Sequence, residues 1–498
     1  MLRWTKLILI ATVPLTLMGA AILGVLERSN AAEEPTATTV AAVAARATAD
    51  KLIVHEWGTF TTFSGSNGVH LDFRPLLDNE LPDFVFDRAS QSGQVNWFSK
   101  GRLRTRVRME TPVTYFYTDR ERTVRAKVEF PKGLLTEFYP PVVSMAPAFD
   151  EKLGLQGNGE PIGNGMLDWG EIDLYPVSSL RTQVKDQQTA EWMAQHLAHS
   201  ILPNADGNHY AAARNTDSAL VHVRRERDPK QNDTPLVRRP RGEFIEKFLF
   251  YRGVGKFDVP VSVTNTTPDK FSVTNTGTEP LPRMIVLRVT GDQRSYAFVP
   301  ALAAGQSVDL PAPDQNVDWD PLRELVVAEL IQTGLYPKEA QAMVDTWSSS
   351  WFTEEGLRLF YLVPQKVTDE ILPLTISPKP DEQLRVMVGR VEIMAKSQET
   401  ELLQAVERNA KARAKWVEVM SELVKSGELD RTGQKENWLP PIPSEFVALG
   451  RFAEPALARV REISPDKVVK NEVDMLLQQL RMEAIQAEQE ARKSAQVQ

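Results

Sequence analysis

The stretch LIVHEWGTFTTFSGSNG, residues 52–68, begins the first segment of this chain with a clear structural pattern. Its β-branched and aromatic residues, without helical periodicity, predict a β-strand. Successive side chains of a strand point to opposite faces, so His55 and Trp57 are expected on one face and Glu56 on the other, facing solvent. Adjacent His55 and Glu56 are therefore poorly placed to bind one metal ion. The segment SGSNG predicts a turn into a returning strand, VHLDF.

The composition predicts packed domains and argues against several classes of function. Of the 498 residues, 42% are hydrophobic and 25% are charged, which is typical of folded rather than disordered chains. This length predicts about three domains. The formal net charge of −8 argues against a nucleic-acid partner, which requires a basic surface. The chain has no cysteine, so disulfides, thiolate metal sites and cysteine nucleophiles are excluded.

The N-terminus predicts export. Residues 7–26, LILIATVPLTLMGAAILGVL, carry no charge and follow the basic residues Arg3 and Lys6. Residues 1–31 are therefore expected to be a cleaved signal peptide or an uncleaved membrane anchor, with residues 7–26 in the inner membrane. Both alternatives place the rest of the chain outside the cytoplasm, in the periplasm or cell envelope. Residues 32–50, rich in alanine and threonine, are predicted to form a linker.

The remaining sequence predicts a mixed, β-rich fold. Strand patterns cover 51–260, where the expected domain is β-sandwich-like and contains a helical insertion at 186–202. Residues 261–310 resemble half of an immunoglobulin-like sandwich, with short alternating strands and turn residues between them. Residues 311–396 are predicted to form an α/β segment. Residues 397–498 repeat apolar positions three and four apart, which predicts a helical C-terminal region.

Two arginine-bearing segments give more local predictions. The strands TYFYT and VRAKVEF flank the short polar segment DRER at 119–122, which predicts a β-hairpin. In GRLRTRVRM, residues 101–109, alternate positions place four arginines on one face of a strand, Arg102, Arg104, Arg106 and Arg108. This face is either an anion-binding surface or a solvated face paired with carboxylates, and the second alternative is the more common in antiparallel sheets.

The best candidate metal ligands are three of the six histidines. His196 and His199 lie three apart on the predicted helix, and His209 follows after a loop. Three neutral imidazoles and a water molecule can hold a catalytic zinc ion. Their spacing matches no motif with an assigned mechanism, and the alternative is a set of partly buried polar residues. The sequence therefore suggests a zinc site at these histidines without establishing one.

Six phrases of the chain are similar to those of a known group of proteins. The group is the uncharacterised exported proteins of planctomycete-type bacteria, and the resemblance covers residues 52 to about 395. It implies export and a shared core, but no established activity and no catalytic residues. The phrases are HEWGTFT at 55–61, RPLLDNELPDFV at 74–85, METPVTYFY at 109–117, FPKGLLTEFYPP at 130–141, LDWGEIDL at 167–174 and EKFLFYRG at 246–253.

Two functional hypotheses follow from the sequence. The first is a non-enzymatic envelope protein for binding or scaffolding, with an envelope protein or a glycan as partner and no cofactor. The second is a metal-dependent hydrolase that acts outside the cytoplasm and holds zinc through His196, His199 and His209. Elemental analysis of the purified protein would separate the two hypotheses.

Overall fold

The computed structural model describes most of the chain beyond the N-terminal region. The described residues are 50–74, 81–82, 84–87, 103–147, 163–176, 209–225, 242–267, 270–427 and 440–497. The predicted signal or anchor and nearly all of the predicted linker lie outside these residues, as do the helix expected at 186–202, His196, His199 and Arg102. Within the described part of the chain, no helix has the length and apolar character needed to cross a bilayer.

The described strands are numbered β1 to β19 in chain order. They are β1 (Ile53–Ser64), β2 (His70–Leu71), β3 (Phe86–Asp87), β4 (Val107–Tyr117), β5 (Arg122–Phe130), β6 (Gly133–Tyr139), β7 (Ser144–Ala146), β8 (Gly165–Tyr175), β9 (Leu220–Arg225), β10 (Gly242–Glu246), β11 (Leu249–Gly255), β12 (Val261–Thr267), β13 (Lys270–Asn275), β14 (Met284–Thr290), β15 (Gln293–Val299), β16 (Ser307–Pro311), β17 (Gly356–Val363), β18 (Leu374–Ser377) and β19 (Glu382–Ile393).

These strands form three sheets. The central sheet has ten strands in the order β15-β14-β17-β19-β1-β4-β11-β6-β3, with β2 paired to β1. The second sheet has six strands in the order β10-β9-β8-β5-β18, with β7 paired to β8. The third sheet contains β12, β13 and β16. One continuous apolar core joins the central sheet to the other two, and Trp169 of β8 packs against Tyr251 of β11 in it.

Strand β1 lies inside the central sheet and is buried along all 12 of its residues. It pairs in parallel with β19 and antiparallel with β4. The prediction that Glu56 faces solvent is wrong, because both faces of β1 are covered. Glu56 is 0% exposed, and its Oε2 accepts hydrogen bonds from Arg385. The predicted turn is confirmed, since the start of β2 pairs with the end of β1 through Ser64 and His70.

Two local predictions do not match the strand pairing. The hairpin predicted around residues 119–122 is wrong, because β4 belongs to the central sheet and β5 pairs with β8 and β18 in the second sheet. The DRER segment therefore carries the chain from one sheet to the other. The strands of 261–310 are also divided, with β12, β13 and β16 in the small sheet and β14 and β15 in the central sheet. They do not form one immunoglobulin-like unit.

The described α-helices all lie in the second half of the chain, from residue 319 onward. The described α-helices are α1 (Trp319–Gln332), α2 (Pro337–Phe352), α3 (Gln365–Ile371), α4 (Lys396–Lys425), α5 (Ser444–Val447), α6 (Ala453–Ile463) and α7 (Lys467–Val497). Short 3-10 helices span His209–Arg214 and Gly450–Phe452. The C-terminal helices have their own apolar core, which includes Phe63 of β1 stacked on Phe452. The predicted mixed, β-rich fold with a helical C-terminal region is thus confirmed.

Candidate functional site

Four of the six characteristic sequence phrases lie side by side in the central sheet. HEWGTFT is in β1, METPVTYFY in β4, most of EKFLFYRG in β11 and most of FPKGLLTEFYPP in β6. These strands are consecutive neighbours in the order β1-β4-β11-β6. Distant parts of the chain therefore meet in these four strands. The face of the strands that carries Trp57 is turned away from the main core and is the candidate location of a functional site.

The backbone is strained where β1 and β4 meet. Trp57 pairs with Val113 and Thr59 with Glu110, so Thr111 and Pro112 together lie opposite Gly58 and β4 bulges by one residue. Thr111 has a φ of 50°, which is a genuine outlier for a β-branched residue. A Cβ on Gly58 would lie 2.9 Å from Pro112 Cα, so only glycine fits beside the bulge. Such strain persists where the surrounding structure imposes it, and it is concentrated at functional sites.

A buried carboxylate lies next to this bulge. Glu110 is 2% exposed, and its Oε1 contacts Arg108 Nε at 3.0 Å and Arg451 Nη1 at 2.7 Å. Burial acts to raise the pKa of Glu110, but the charges of Arg451, Arg108, Arg390 and Arg252 outweigh it and hold the pKa well below its usual range. Glu110 is therefore ionised at neutral pH and faces an excess of positive charge.

Arg252 of β11 is a buried arginine beside the same bulge. It is 1% exposed and precedes Gly253, which pairs with Met109 of β4. Among the described residues, its Nε and Nη2 have no hydrogen-bond partner. Glu137 lies opposite Arg252 in the ladder of β6 and β11 and accepts a hydrogen bond from Thr136. Arg252 thus presents two parallel N–H donors with no acceptor on them in the described part of the chain.

Other buried polar atoms near Arg252 share this property. Within the described ranges, no hydrogen-bond partner is found for Trp57 Nε1, Thr59 Oγ1, Thr111 Oγ1 and Trp347 Nε1. Strand alternation places Trp57 and Thr59 on one face. Thr61 lies on the same face, and its hydrogen bond to Glu110, at 3.3 Å, shows that Glu110 also lies on this face. We name the following residues the Arg252 cluster: Trp57, Thr59, Glu110, Thr111, Arg252 and Trp347.

His209 covers the cluster from the 3-10 helix. Its ring stacks on Trp347 with centroids 5.7 Å apart. Burial, together with the charges of Arg252 and Arg108, lowers the pKa of His209 to about 4, so the imidazole is neutral at pH 7. Positive neighbours disfavour binding of a divalent cation there. No metal-binding group of three or more His, Cys, Asp or Glu occurs among the described residues. Since His196 and His199 lie outside them, the three-histidine zinc site stays a prediction.

A second arrangement lies further along the same face. His55 Nδ1 is 2.8 Å from Glu339 Oε2, and Glu339 Oε1 accepts a 2.8 Å hydrogen bond from the hydroxyl of Tyr117. The ring of Tyr336 lies 4.6 Å from that of His55. His55 Nε2 is buried, with no hydrogen-bond partner in the described chain, and lies 3.9 Å from Glu382 Oε1.

This pairing has the geometry of a general base. When the Nδ1–H donates to a carboxylate, the Nε2 lone pair is left to accept a proton. Glu56, the acidic neighbour of His55 in the sequence, lies on the other face of β1. The true partner, Glu339, is 284 residues away and carries no local signal.

Comparison with known proteins assigns the chain to no family. No protein-family model matches it, and no curated protein matches it. Among solved structures, the chain has a weak similarity to the Fcho1 Mu homology domain of Danio rerio with bound Eps15 peptide. The TM-score is 0.25 at 7% identity, over 69% of this chain and 96% of that chain. This similarity is too low to carry an argument, so function must be argued from the site.

Proposed function

We propose that this protein is an exported protein of the cell envelope that binds a small ligand at the Arg252 cluster. One observation carries the proposal: the buried polar atoms of the Arg252 cluster have no hydrogen-bond partner among the described residues, and strand pairing places most of these residues on or beside a strained bulge of β4. In folded proteins the large majority of buried side-chain polar atoms have at least one hydrogen-bond partner. Buried polar groups that lack one cost free energy, so their concentration at one place favours a ligand or ordered water that completes them.

Export is supported by the N-terminal sequence. The uncharged run at 7–26, preceded by basic residues, favours insertion into the inner membrane with the remaining chain in the periplasm or envelope. The similarity to exported planctomycete-type proteins supports the same location. The packing of the central sheet against the second sheet supports the predicted β-sandwich-like character of the N-terminal and central region. A protease added outside the inner membrane should digest the chain, and full protection would contradict export.

Native mass spectrometry of the purified full chain tests ligand binding. We expect an added mass that is lost on denaturation, because the cluster is buried and a ligand held there would survive purification. Thr59→Val should reduce the bound fraction. Thr62→Val is a matched control, since Thr62 lies on the opposite face of the same strand and contacts the carbonyl of Arg390. The same loss in both variants would contradict binding at the cluster.

The alternative is a hydrolase, and the observation that favours it is the His55–Glu339 pair. His55, oriented by Glu339 through Nδ1, offers Nε2 as an acceptor for a proton from a water or hydroxyl nucleophile. The predicted metal-dependent hydrolase, with His196, His199 and His209, is a separate proposal that the surroundings of His209 disfavour.

Assays with chromogenic ester and phosphate substrates test this alternative. Activity should be lost in His55→Gln and retained in His70→Gln, whose ring Nε2 contacts the carbonyl of Val261 instead of a carboxylate. Equal activity in both variants would exclude His55 as the base. Elemental analysis of the full chain, purified without a metal-binding tag, tests the zinc site separately.

A further inference from the structure

We propose that the ligand of the Arg252 cluster is a small oxyanion, with a carboxylate, phosphate or sulfate group held by Arg252 Nε and Nη2. This inference rests on the proposed function, because it names the chemistry of the ligand at the same cluster. Three observations support it: the donor atoms that Arg252 offers, the charge around them and the kind of polar atom that lacks a partner.

Arg252 offers the pair of atoms that this chain uses elsewhere to bind carboxylates. Arg385 places Nε at 2.7 Å and Nη2 at 2.6 Å from Glu56 Oε2. Arg413 donates from Nε and Nη2 to the two oxygens of Glu472, at 2.8 and 2.9 Å. The two N–H groups of this guanidinium edge are parallel and match the spacing of oxygens in a carboxylate, phosphate or sulfate. In Arg252 the same edge is buried and has no partner among the described residues.

The charge around Arg252 favours an anion. Arg108 and Arg451 share the single carboxylate of Glu110, and Arg252 adds a third guanidinium. Glu137 is the second carboxylate near this group. A guanidinium cannot be deprotonated in a protein, so Arg252 stays charged and the free-energy cost of desolvating it remains. Arg390, the fourth arginine near Glu110, is already paired with Glu354 and Glu392. An anionic ligand would supply the negative charge that Nε and Nη2 of Arg252 lack among the described residues.

The unpartnered atoms are also mostly donors. Arginine Nε and Nη2 and the indole Nε1 atoms of Trp57 and Trp347 can donate a hydrogen bond and cannot accept one. The threonine hydroxyls of Thr59 and Thr111 can do either. A ligand that satisfies this set must supply acceptors, and an oxyanion supplies several in a small volume. A neutral sugar, whose hydroxyls also donate, would complement this set less well.

Calorimetric titration of the full chain tests the inference. The probes are inorganic phosphate, sulfate and succinate, with glucose as a neutral comparison. Binding of at least one oxyanion should weaken at least about tenfold in Arg252→Gln, as expected when a charge-assisted pair is lost. Arg252→Lys should weaken binding too, because lysine keeps the charge without the two parallel donors. Arg125→Gln is the charge-matched control, since it removes an arginine from an exposed ion pair with Glu171.

The outcomes separate this inference from the proposed function. Tight binding of phosphate and sulfate assigns a tetrahedral anion, and tight binding of succinate assigns a carboxylate. A neutral molecule in the native mass spectrum, with no response to any oxyanion, overturns the inference and leaves the proposed function standing. No bound molecule and no response overturns both. Equal weakening in Arg125→Gln identifies a general charge effect and also overturns the inference. If Arg252→Gln does not fold, the comparison of Arg252→Lys with the natural chain decides.

Discussion

Replacing Arg385 and Arg252 by methionine, one at a time, should change the free energy of unfolding in different ways. Both side chains are almost fully buried, at 2% and 1% exposure. Arg385 is bound to Glu56, whereas Nε and Nη2 of Arg252 have no partner in the described part of the chain. Methionine retains the apolar bulk of the arginine stem in each case, so the comparison isolates the guanidinium.

The expected magnitudes follow from these surroundings. Arg385→Met leaves the Glu56 carboxylate buried with only the hydroxyls of Tyr251 and Thr114 as donors among the contacts described. Breaking a buried ion pair in this way costs about 3–5 kcal/mol. Arg252→Met removes a buried charge, while Glu110 keeps Arg108 and Arg451. Because the Nε and Nη2 of Arg252 have no partner among the described residues, removing this charge relieves its cost of burial, and we expect the free energy of unfolding to stay the same or to rise. The two variants should therefore differ by at least about 3 kcal/mol.

Urea unfolding without added ligand measures this difference. The midpoints should separate while the dependence on urea stays unchanged, since neither substitution alters the surface exposed on unfolding. A loss in Arg252→Met as large as that in Arg385→Met would refute the reasoning. It would show that Arg252 has an internal partner that stabilises the fold, and the case for a ligand at its Nε and Nη2 would fail.

Three further predictions concern the same face of the central sheet. In thermal unfolding, Thr111→Gly should stabilise the fold or leave its stability unchanged, because glycine removes strain of about 1–3 kcal/mol at the bulge. The same substitution should weaken ligand binding, because it removes the hydroxyl of Thr111 from the cluster. The unfolded imidazole titrates near 6.5 and the folded pKa of His209 is about 4, so the unfolded chain binds more protons between these values. The stability from neutral His209 is thus complete above about pH 6.5 and lost towards pH 4, and His209→Gln should flatten that part of the stability profile. Glu339→Gln should destabilise the fold by about 1–3 kcal/mol in urea unfolding, because it replaces a buried acceptor of hydrogen bonds from Tyr117 and His55.

The sequence predicted local features of β1 correctly and its surroundings incorrectly. Alternation correctly placed His55 and Trp57 on one face, and the turn after Ser64 was also predicted. The alternation rule cannot tell whether a polar face meets water or protein. Glu56 meets Arg385, which lies 329 positions later, and no local pattern indicates that pairing.

The arrangement of sheets was equally hard to predict. A short polar segment between two strands is typical of a hairpin, but the same segment at 119–122 also suits a corner between two packed sheets. The choice depends on which partners β4 and β5 find, and these are β1, β11, β8 and β18. Strand and turn signals at 261–310 likewise predicted strands without predicting which sheet each would join.

The candidate site has a signal in the sequence. Arg252 in FLFYRG and Glu110 in METP are charged residues within buried strands, and a buried charge is costly unless it has a specific role. The spacing of the histidines pointed instead to His196, His199 and His209. His209 does lie beside the Arg252 cluster, but the guanidinium groups around it disfavour a metal cation. The spacing of the histidines could not reveal these positive charges.

The pairing of β1 with β19 has a consequence for how the chain is made. Ile53 pairs with Glu382, 329 positions later, so one side of β1 has no final partner until most of the chain has been synthesised. At roughly 5–20 residues per second this interval lasts tens of seconds. During it, one edge of β1 lacks its final partner, and an unpaired strand edge favours aggregation. The central sheet is complete only after β19 has been synthesised. A chain truncated before residue 382 should therefore accumulate with chaperones or as aggregates rather than fold.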